Sequence, residues 1–171
     1  MSRELTGSSI AQIIGIAGVA AVVGVGFMMT KSGNVQNEAT FVQNAVNNVR
    51  STLANYADAS YVTNTNITTG KLVPDNRISG TTITSAWGTV TFAAANVTGS
   101  ANDGFSIAYP LANMASRDCK GLVSAIAGQA NVVTVNATVV KNATTALSET
   151  AVDTACGNTG SLTFGFSRLG T

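Results

Sequence analysis

The chain opens with an apolar segment and continues with an amphipathic one. Residues 10–29 contain one polar side chain, Gln12, and no charge. About 20 apolar residues cross the roughly 30 Å hydrocarbon core of a bilayer as a helix. Farther along, apolar side chains recur with helical spacing, and this stripe comprises Val42, Ala45, Val46, Val49, Leu53, Tyr56 and Ala57. The two patterns predict an apolar helix within residues 1–31 and an amphipathic helix over 35–61, together one long helix that bends near 24–33.

The rest of the chain, within a predicted head of residues 32–171, has the short runs of a β-rich fold. Alternating side chains predict strands at 81–83, 89–93, 104–109, 132–140 and 162–166. Residues 62–80 predict a loop with a short helix, 144–155 a loop or short helix, and 115–128 a helix with Ser116 as its N-cap. The expected fold class is α+β, with the long N-terminal helix packed against a mostly antiparallel sheet.

The N-terminal apolar segment has three interpretations. A cleaved signal peptide has an apolar core of 7–15 residues and an Ala-x-Ala-like site, and this longer segment lacks such a site. A permanent membrane anchor is the second interpretation. The segment also carries Gly15, Gly18, Gly24 and Gly26. Small residues allow close helix approach and glycine weakens a helix, so a helix that packs against copies of itself fits these glycines better than a lone anchor.

Charge and composition exclude several functions. Only 10% of the residues are charged and the net charge is +1, without the clustered Lys and Arg of a nucleic-acid-binding surface. Histidine is absent from the sequence, which removes the commonest general base and metal ligand. Asp75, Asp103, Asp118 and Asp153 are isolated along the chain and are expected to be solvated or capping. The sequence therefore predicts no enzyme, no cofactor and no metal site, and Trp87 is predicted to lie in the core.

The chain contains two cysteines, Cys119 and Cys156. In an exported protein such a pair usually forms one disulfide. The alternative is two unrelated buried thiols. Because the N-terminal segment implies export, we expect the disulfide.

The order of these features resembles a type IV pilin of the type IVb branch. The strand Phe105-Ser106-Ile107 precedes a helix with Cys119-Lys120-Gly121-Leu122. A further strand, the segment Thr154-Ala155-Cys156 and a final strand over 162–166 follow. The Trp87-Gly88 turn before a Val-x-Phe strand is similar to the pilins of the thin pili made by IncI-type conjugative plasmids. The resemblance extends over nearly the whole chain.

The resemblance implies a major pilin, a structural subunit of an extracellular pilus used for cell or surface contact, including conjugative mating. Its partner would be itself, in a helical homopolymer, after a precursor stage in the bacterial inner membrane. A prepilin peptidase and the pilus assembly machinery would act on it. The alternatives are a minor pilin, a secretion-system pseudopilin, or a membrane-anchored periplasmic binding module.

The resemblance also raises the question of where the mature chain begins. Family pilins are cut after a glycine, often methylated at the new N-terminus, and usually carry glutamate at mature position five. Cleavage after Gly7 would make Ser8 the first residue and place the uncharged Gln12 at position five. If Met1 is already the mature start, the nearest acid is Glu4, one position early. Both possibilities stay open at the level of the sequence.

Overall fold

An amphipathic helix begins the described part of the chain, which comprises residues 33–157 and 159–170 of this computed structural model. Helix α1 (Gly33–Leu53) buries an apolar stripe, consisting of Val35, Phe41, Val42, Ala45, Val46, Val49 and Leu53. The spacing of these residues matches the helical repeat, so one face of the helix is buried in the core and the opposite face is exposed. Among the described residues, no helix has the length and apolar character needed to cross a membrane.

The end of α1 corrects the prediction of a helix over 35–61. The helix ends at Leu53, and Tyr56, predicted to be in the buried stripe, is 42% exposed. The chain turns instead, so that the fully buried Ala59 donates its N–H to the carbonyl of Asn102 at 2.8 Å. This contact with a distant loop has no counterpart in the local sequence pattern, which continues the helical spacing to Ala57.

The elements after α1 alternate short helices with strands. In chain order they are α2 (Asn64–Thr69), a 3₁₀ turn (Asp75–Arg77), β1 (Ile78–Ser79), β2 (Thr82–Ser85), β3 (Gly88–Ala95), β4 (Gly104–Pro110), α3 (Ser116–Ile126), β5 (Val132–Val135), β6 (Thr138–Lys141), α4 (Glu149–Ala155) and β7 (Ser161–Ser167). The region 62–80 thus holds a short helix, as the sequence indicates, together with a 3₁₀ turn and a two-residue strand.

The strands form a seven-stranded sheet in the order β1-β2-β3-β4-β7-β5-β6, and every pairing is antiparallel. The central strands β4 and β7 alternate, so Phe105, Ile107 and Tyr109 of β4 are fully buried. Phe105 lies opposite Phe166 and their rings stack with centroids 5.6 Å apart. The expected α+β class, a long helix on a mostly antiparallel sheet, is confirmed.

The predicted strand over 132–140 is wrong, because this segment is a hairpin. Strands β5 and β6 pair with Val135 opposite Thr138. The two residues between them, Asn136 and Ala137, have φ values of 48° and 64°. Two consecutive positive φ values are those of a type I′ turn, which matches the twist of the flanking strands.

Helix α3 packs beside α1 through a glycine. A Cβ at Gly121 would lie 3.4 Å from Val35 Cγ1, an ordinary van der Waals distance, so the two helices are in contact at this point. The predicted N-cap, Ser116, is instead the first helical residue; the N-cap is Ala115, which has no side-chain cap. Trp87 is buried as predicted, with its ring edge-on to Tyr109 at a centroid distance of 6.1 Å.

Candidate functional site

A buried carboxylate fixes α1 to the rest of the head. Glu38 is 1% exposed and accepts hydrogen bonds from three parts of the fold. Arg77 Nη1 donates to Glu38 Oε1 at 2.5 Å, the Ala86 N–H to the same oxygen at 3.3 Å, and the Tyr109 hydroxyl to Oε2 at 3.2 Å. A buried charge is tolerated when it is paired and its oxygens are hydrogen-bonded. These four residues, Glu38, Arg77, Ala86 and Tyr109, are called the Glu38 anchor below.

The cation of the Glu38 anchor is itself held in place. The Arg77 guanidinium lies over the Phe41 ring at 5.1 Å from its centroid and also donates to the Thr84 carbonyl at 3.2 Å. The Thr84 hydroxyl donates a hydrogen bond to the Arg77 carbonyl at 3.1 Å. Burial raises the pKa of Tyr109 well above its ordinary value, and the Glu38 carboxylate adds to the effect. The phenol is therefore a neutral donor, and the anchor joins α1 to the β2–β3 region and to β4.

The disulfide closes the C-terminal part of the head. Cys119 and Cys156 are bonded with their Cα atoms 5.8 Å apart, which confirms the predicted pairing. Beside the bond, Lys120 of α3 and Asp153 of α4 form an ion pair at 2.7 Å. Lys141 of β6 donates to the carbonyls of Ala127 and Ala130, which follow α3. A covalent bond, an ion pair and a helix-end cap thus fasten the hairpin and α4 to α3.

The outward side of α1 presents amides. Asn37, Asn44, Asn47 and Asn48 are exposed, and this set is called the amide face below. The Asn48 amide donates to the Leu72 carbonyl at 3.0 Å. No hydrogen bond is formed by the other three side chains with the described residues.

Two clefts lie between the amide face and the chain at 71–77. One, of about 470 Å³, is lined by Asn44, Asn47, Asn48, Lys71, Val73 and Pro74. The other, of about 420 Å³, is lined by Asn37, Thr40, Phe41, Asn44, Pro74, Asn76 and Arg77. They share Asn44 and Pro74 and together form one shallow, open groove. The charges on its far wall are paired, because Lys71 contacts Asp75 at 3.4 Å and Arg77 contacts Glu38.

The four isolated aspartates stay apart in the fold and have structural partners. Asp75 and Asp153 form ion pairs at the surface. Asp103 accepts the N–H groups of Val97, Thr98 and Ser100 and the Thr98 hydroxyl. These bonds, led by the Thr98 side chain, hold the pKa of the Asp103 carboxyl well below its usual range.

Asp118 is the fourth of these residues, and it is largely buried near the start of α3. Its Oδ1 lies 3.6 Å from Arg117 Nε and makes no hydrogen bond. Within residues 33–157 and 159–170, no group of three or more acidic or cysteine side chains could bind a metal ion.

The residues predicted to act in assembly lie outside the described residues. They are Met1, Glu4, Gln12, Gly15, Gly18, Gly24 and Gly26, with Gly7 and Ser8 at the candidate cleavage point. Their roles remain predictions.

Sequence reasoning did not identify the Glu38 anchor. The available signal was the position of Glu38, three residues after Val35 and four before Val42, on the apolar stripe of α1. A charge on a buried helical stripe implies a buried partner. The identity of that partner was not accessible, since Arg77 and Tyr109 are far away along the chain.

Comparisons with known proteins identify a matching family and a similar fold. A family model described as PilS N terminal matches residues 30–167. The crystal structure of TcpA, a type IV pilin from the El Tor biotype of Vibrio cholerae, matches with a TM-score of 0.53 and 19% sequence identity. The match covers 80% of this chain and 100% of the TcpA chain. No curated protein matches the sequence. At 19% identity the structural likeness establishes the fold alone.

Proposed function

The chain belongs to the PilS N-terminal family of type IV pilins, and we propose that it is the major structural subunit of a type IVb-like pilus. The family match over residues 30–167 supports the proposal, as does the type IV pilin fold of the head. Family members are structural subunits and not enzymes. In this proposal the chain is the abundant subunit and polymerises through its N-terminal segment.

The observation that carries the proposal is the firm attachment of α1 to the rest of the head. An apolar stripe and the Glu38 anchor hold this helix along its length. The helix is therefore joined to the sheet both by apolar burial and by a buried, hydrogen-bonded ion pair. Such an attachment suits a subunit that is pulled from a membrane and then held in a filament by its N-terminal segment.

In the proposed mechanism, residues 10–29 are an apolar helix that begins in the inner membrane. During assembly this segment exchanges lipid for the equivalent segments of other copies, so its apolar surface stays out of water. A filament core surrounds each helix on all sides, which accounts for the apolar character of the whole segment. Residues 32–171 would remain outside the membrane as the head.

We assign the N-terminal residues to assembly as follows. Gly15, Gly18, Gly24 and Gly26 permit close helix packing and local loss of helix in the filament. A prepilin peptidase would cut after Gly7, making Ser8 the first residue and Gln12 the fifth, or the chain would start at Met1 with Glu4 near the amine. Methylation of the new N-terminus is part of this proposal.

The pilus would serve contact between cells or with a surface, and conjugative mating is the specific use suggested by the kinship with IncI thin-pilus pilins. Two alternatives remain. A minor pilin or pseudopilin would have the same fold but a low copy number. A membrane-anchored periplasmic binding module would remain a monomer in the inner membrane.

The proposal is tested by shearing cells that express the chain together with its assembly machinery. Electron microscopy of the sheared fraction is expected to show thin filaments, and intact mass spectrometry to show this chain as their main component. The mass distinguishes a start at Met1 from one at Ser8 and reveals a methyl group. Protein confined to the inner membrane, without filaments, would contradict the pilin assignment, and a trace amount within filaments made of another chain would identify a minor pilin.

A further inference from the structure

Two tyrosines stack on each other across the turn that follows α1. The rings of Tyr56 and Tyr61 have centroids 4.6 Å apart and an interplanar angle of 34°. Aromatic side chains contribute most to stability when they are buried, yet Tyr56 is 42% exposed and Tyr61 is half-buried. The third tyrosine of the sequence, Tyr109, is fully buried and bonded to Glu38. Solvent therefore reaches the stacked pair and not the third phenol.

Backbone hydrogen bonds hold both members of the pair in place. The Tyr56 carbonyl accepts a bond from the Arg168 guanidinium, and the Tyr56 N–H donates to the Leu53 carbonyl at 3.0 Å. The Tyr61 carbonyl accepts a bond from the Asn66 side chain at 2.6 Å. Neither phenol hydroxyl bonds to another residue in the described part of the chain, so a reaction of the phenols breaks no hydrogen bond there. The two rings are therefore positioned before any reaction begins.

Adjacent phenols of this kind can be joined by oxidation. A one-electron oxidant removes an electron from each ring, and each hydroxyl releases its proton. The two phenoxyl radicals form side by side and combine through the ring carbons next to the oxygens. The hydrogen on each of these carbons then moves to the oxygen of the same ring, which restores both phenols. When a peroxidase is the oxidant, one hydrogen peroxide takes up the two electrons and two protons and becomes two waters.

The other oxidisable side chains among residues 33–157 and 159–170 are protected. Cys119 and Cys156 are joined in the disulfide. Met114 is 2% exposed and Trp87 is 4% exposed. A free thiol, thioether or indole beside the pair would reduce a phenoxyl radical before it could couple. Since these groups are bonded or buried, coupling is the expected fate of radicals on the two exposed rings.

We propose that Tyr56 and Tyr61 are a site of oxidative modification, at which a peroxidase-type oxidant joins the two rings by a carbon–carbon bond. The bond would close the turn at 57–60 covalently and connect the end of α1 to the segment that precedes α2. Outside the reducing cytosol, small thiols do not repair the radicals before they couple. Both rings belong to one copy of the chain, so the modification does not depend on filament formation.

Treatment of the full-length chain in detergent micelles with a haem peroxidase and hydrogen peroxide tests the site. The expected product has the fluorescence of dityrosine, an intact monomer mass lower by two hydrogen atoms, and a digest peptide that links Tyr56 to Tyr61. Tyr56→Phe and Tyr61→Phe should each reduce the fluorescence at least about tenfold, because the remaining ring loses its positioned partner. Each variant keeps Tyr109, and urea unfolding checks that both variants are folded.

Three results would overturn the inference. The first is wild-type fluorescence from Tyr61→Phe, and the second is dityrosine that joins only separate chains, with a yield that falls on dilution. The third is an absence of dityrosine in the wild type under conditions in which the same peroxidase couples free tyrosine. None of these measurements requires filaments, so their outcome is distinct from success or failure of the proposed pilus assembly.

Discussion

At the scale of residues, a few polar groups determine how the head holds together. Glu38 lies on the apolar stripe of α1 yet is not an error in the pattern, because Arg77, the Ala86 N–H and Tyr109 satisfy its oxygens. Asp103 holds the loop between β3 and β4 in place, because its carboxylate accepts hydrogen bonds from three backbone N–H groups there. Each carboxylate connects segments that the apolar pattern alone leaves unspecified.

Tyr109→Phe should lower the free energy of unfolding by about 1–3 kcal/mol at neutral pH, since Glu38 loses one buried donor. Burial raises the folded-state pKa of Tyr109. The unfolded phenol ionises near pH 10, so the wild type should lose stability as the pH rises above that value. Urea unfolding at neutral pH and at about pH 10.5 measures both effects. In the variant, the free energy of unfolding should fall less between neutral pH and about pH 10.5, because Tyr109 no longer contributes. Identical decreases in the two proteins would contradict the prediction. The exposed Tyr56→Phe is the control.

Asp103→Asn should destabilise the head at neutral pH and weaken its acid sensitivity. The hydrogen bonds to Asp103 depress its folded-state pKa. Its stabilising contribution is therefore complete above the unfolded pKa of about 3.9 and is lost as the pH falls below it. The melting temperature measured between about pH 2 and 7 should fall less steeply in the variant than in the wild type. Parallel curves would disprove this, and Asp75→Asn, at an exposed ion pair, is the matched control.

At the scale of elements, short segments depend on turns and on distant partners. Helix α1 has enough apolar positions to be predicted from its spacing, but its C-terminal end is set by the burial of Ala59 against another loop. The hairpin β5–β6 turns at Asn136 and Ala137, where the common residues would be Asn-Gly. Asn136 supplies one of these residues, but alanine seldom takes a positive φ, so the local sequence carries only half of the turn signal and favours a continuous strand.

Ala137→Gly should stabilise the head by about 1 kcal/mol, because glycine takes a positive φ without the steric penalty of a Cβ. Ala137 has a φ of 64° and is exposed, so the substitution removes no buried contact. Thermal or urea unfolding measures the change. The control Ala146→Gly changes an exposed alanine without a positive φ and should slightly destabilise; an equal effect of the two substitutions would show that the turn holds no strain.

At the scale of the whole molecule, residues 32–171 form one compact unit. Its core lies where α1 covers the central strands, with Tyr109 touching both the sheet and the helix through Glu38. The disulfide closes a covalent loop that runs from Cys119 within α3, through the β5–β6 hairpin and α4, to Cys156. The final strand β7 then inserts between β4 and β5, so the end of the chain completes the sheet.

Replacement of both cysteines, Cys119→Ser with Cys156→Ser, should lower the free energy of unfolding by about 2–5 kcal/mol. The bond joins residues 37 positions apart, so its loss releases a long loop in the unfolded chain. Urea unfolding of the oxidised wild type, the reduced wild type and the double variant provides the measurement. A change below about 0.5 kcal/mol would indicate that noncovalent contacts alone hold α3 and α4 together.

The sequence by itself determined the elements whose residues lie close together in the chain. Helix periodicity identified α1, alternation identified β3, β4 and β7, and the two cysteines implied the disulfide. These signals are local because each element repeats its own geometry every two or 3.6 residues. The order of motifs was also sufficient to indicate the family.

Only the tertiary structure decided the features that depend on residues far apart. It ended α1 at Leu53, divided 132–140 into a hairpin, and joined Glu38 to Arg77 and Tyr109. It also placed the amide face beside the chain at 71–77 and so formed the groove. The physical reason is that a buried charge, a strained turn and a surface cleft each depend on residues that only folding brings together. No local pattern in the chain specifies which residues those are.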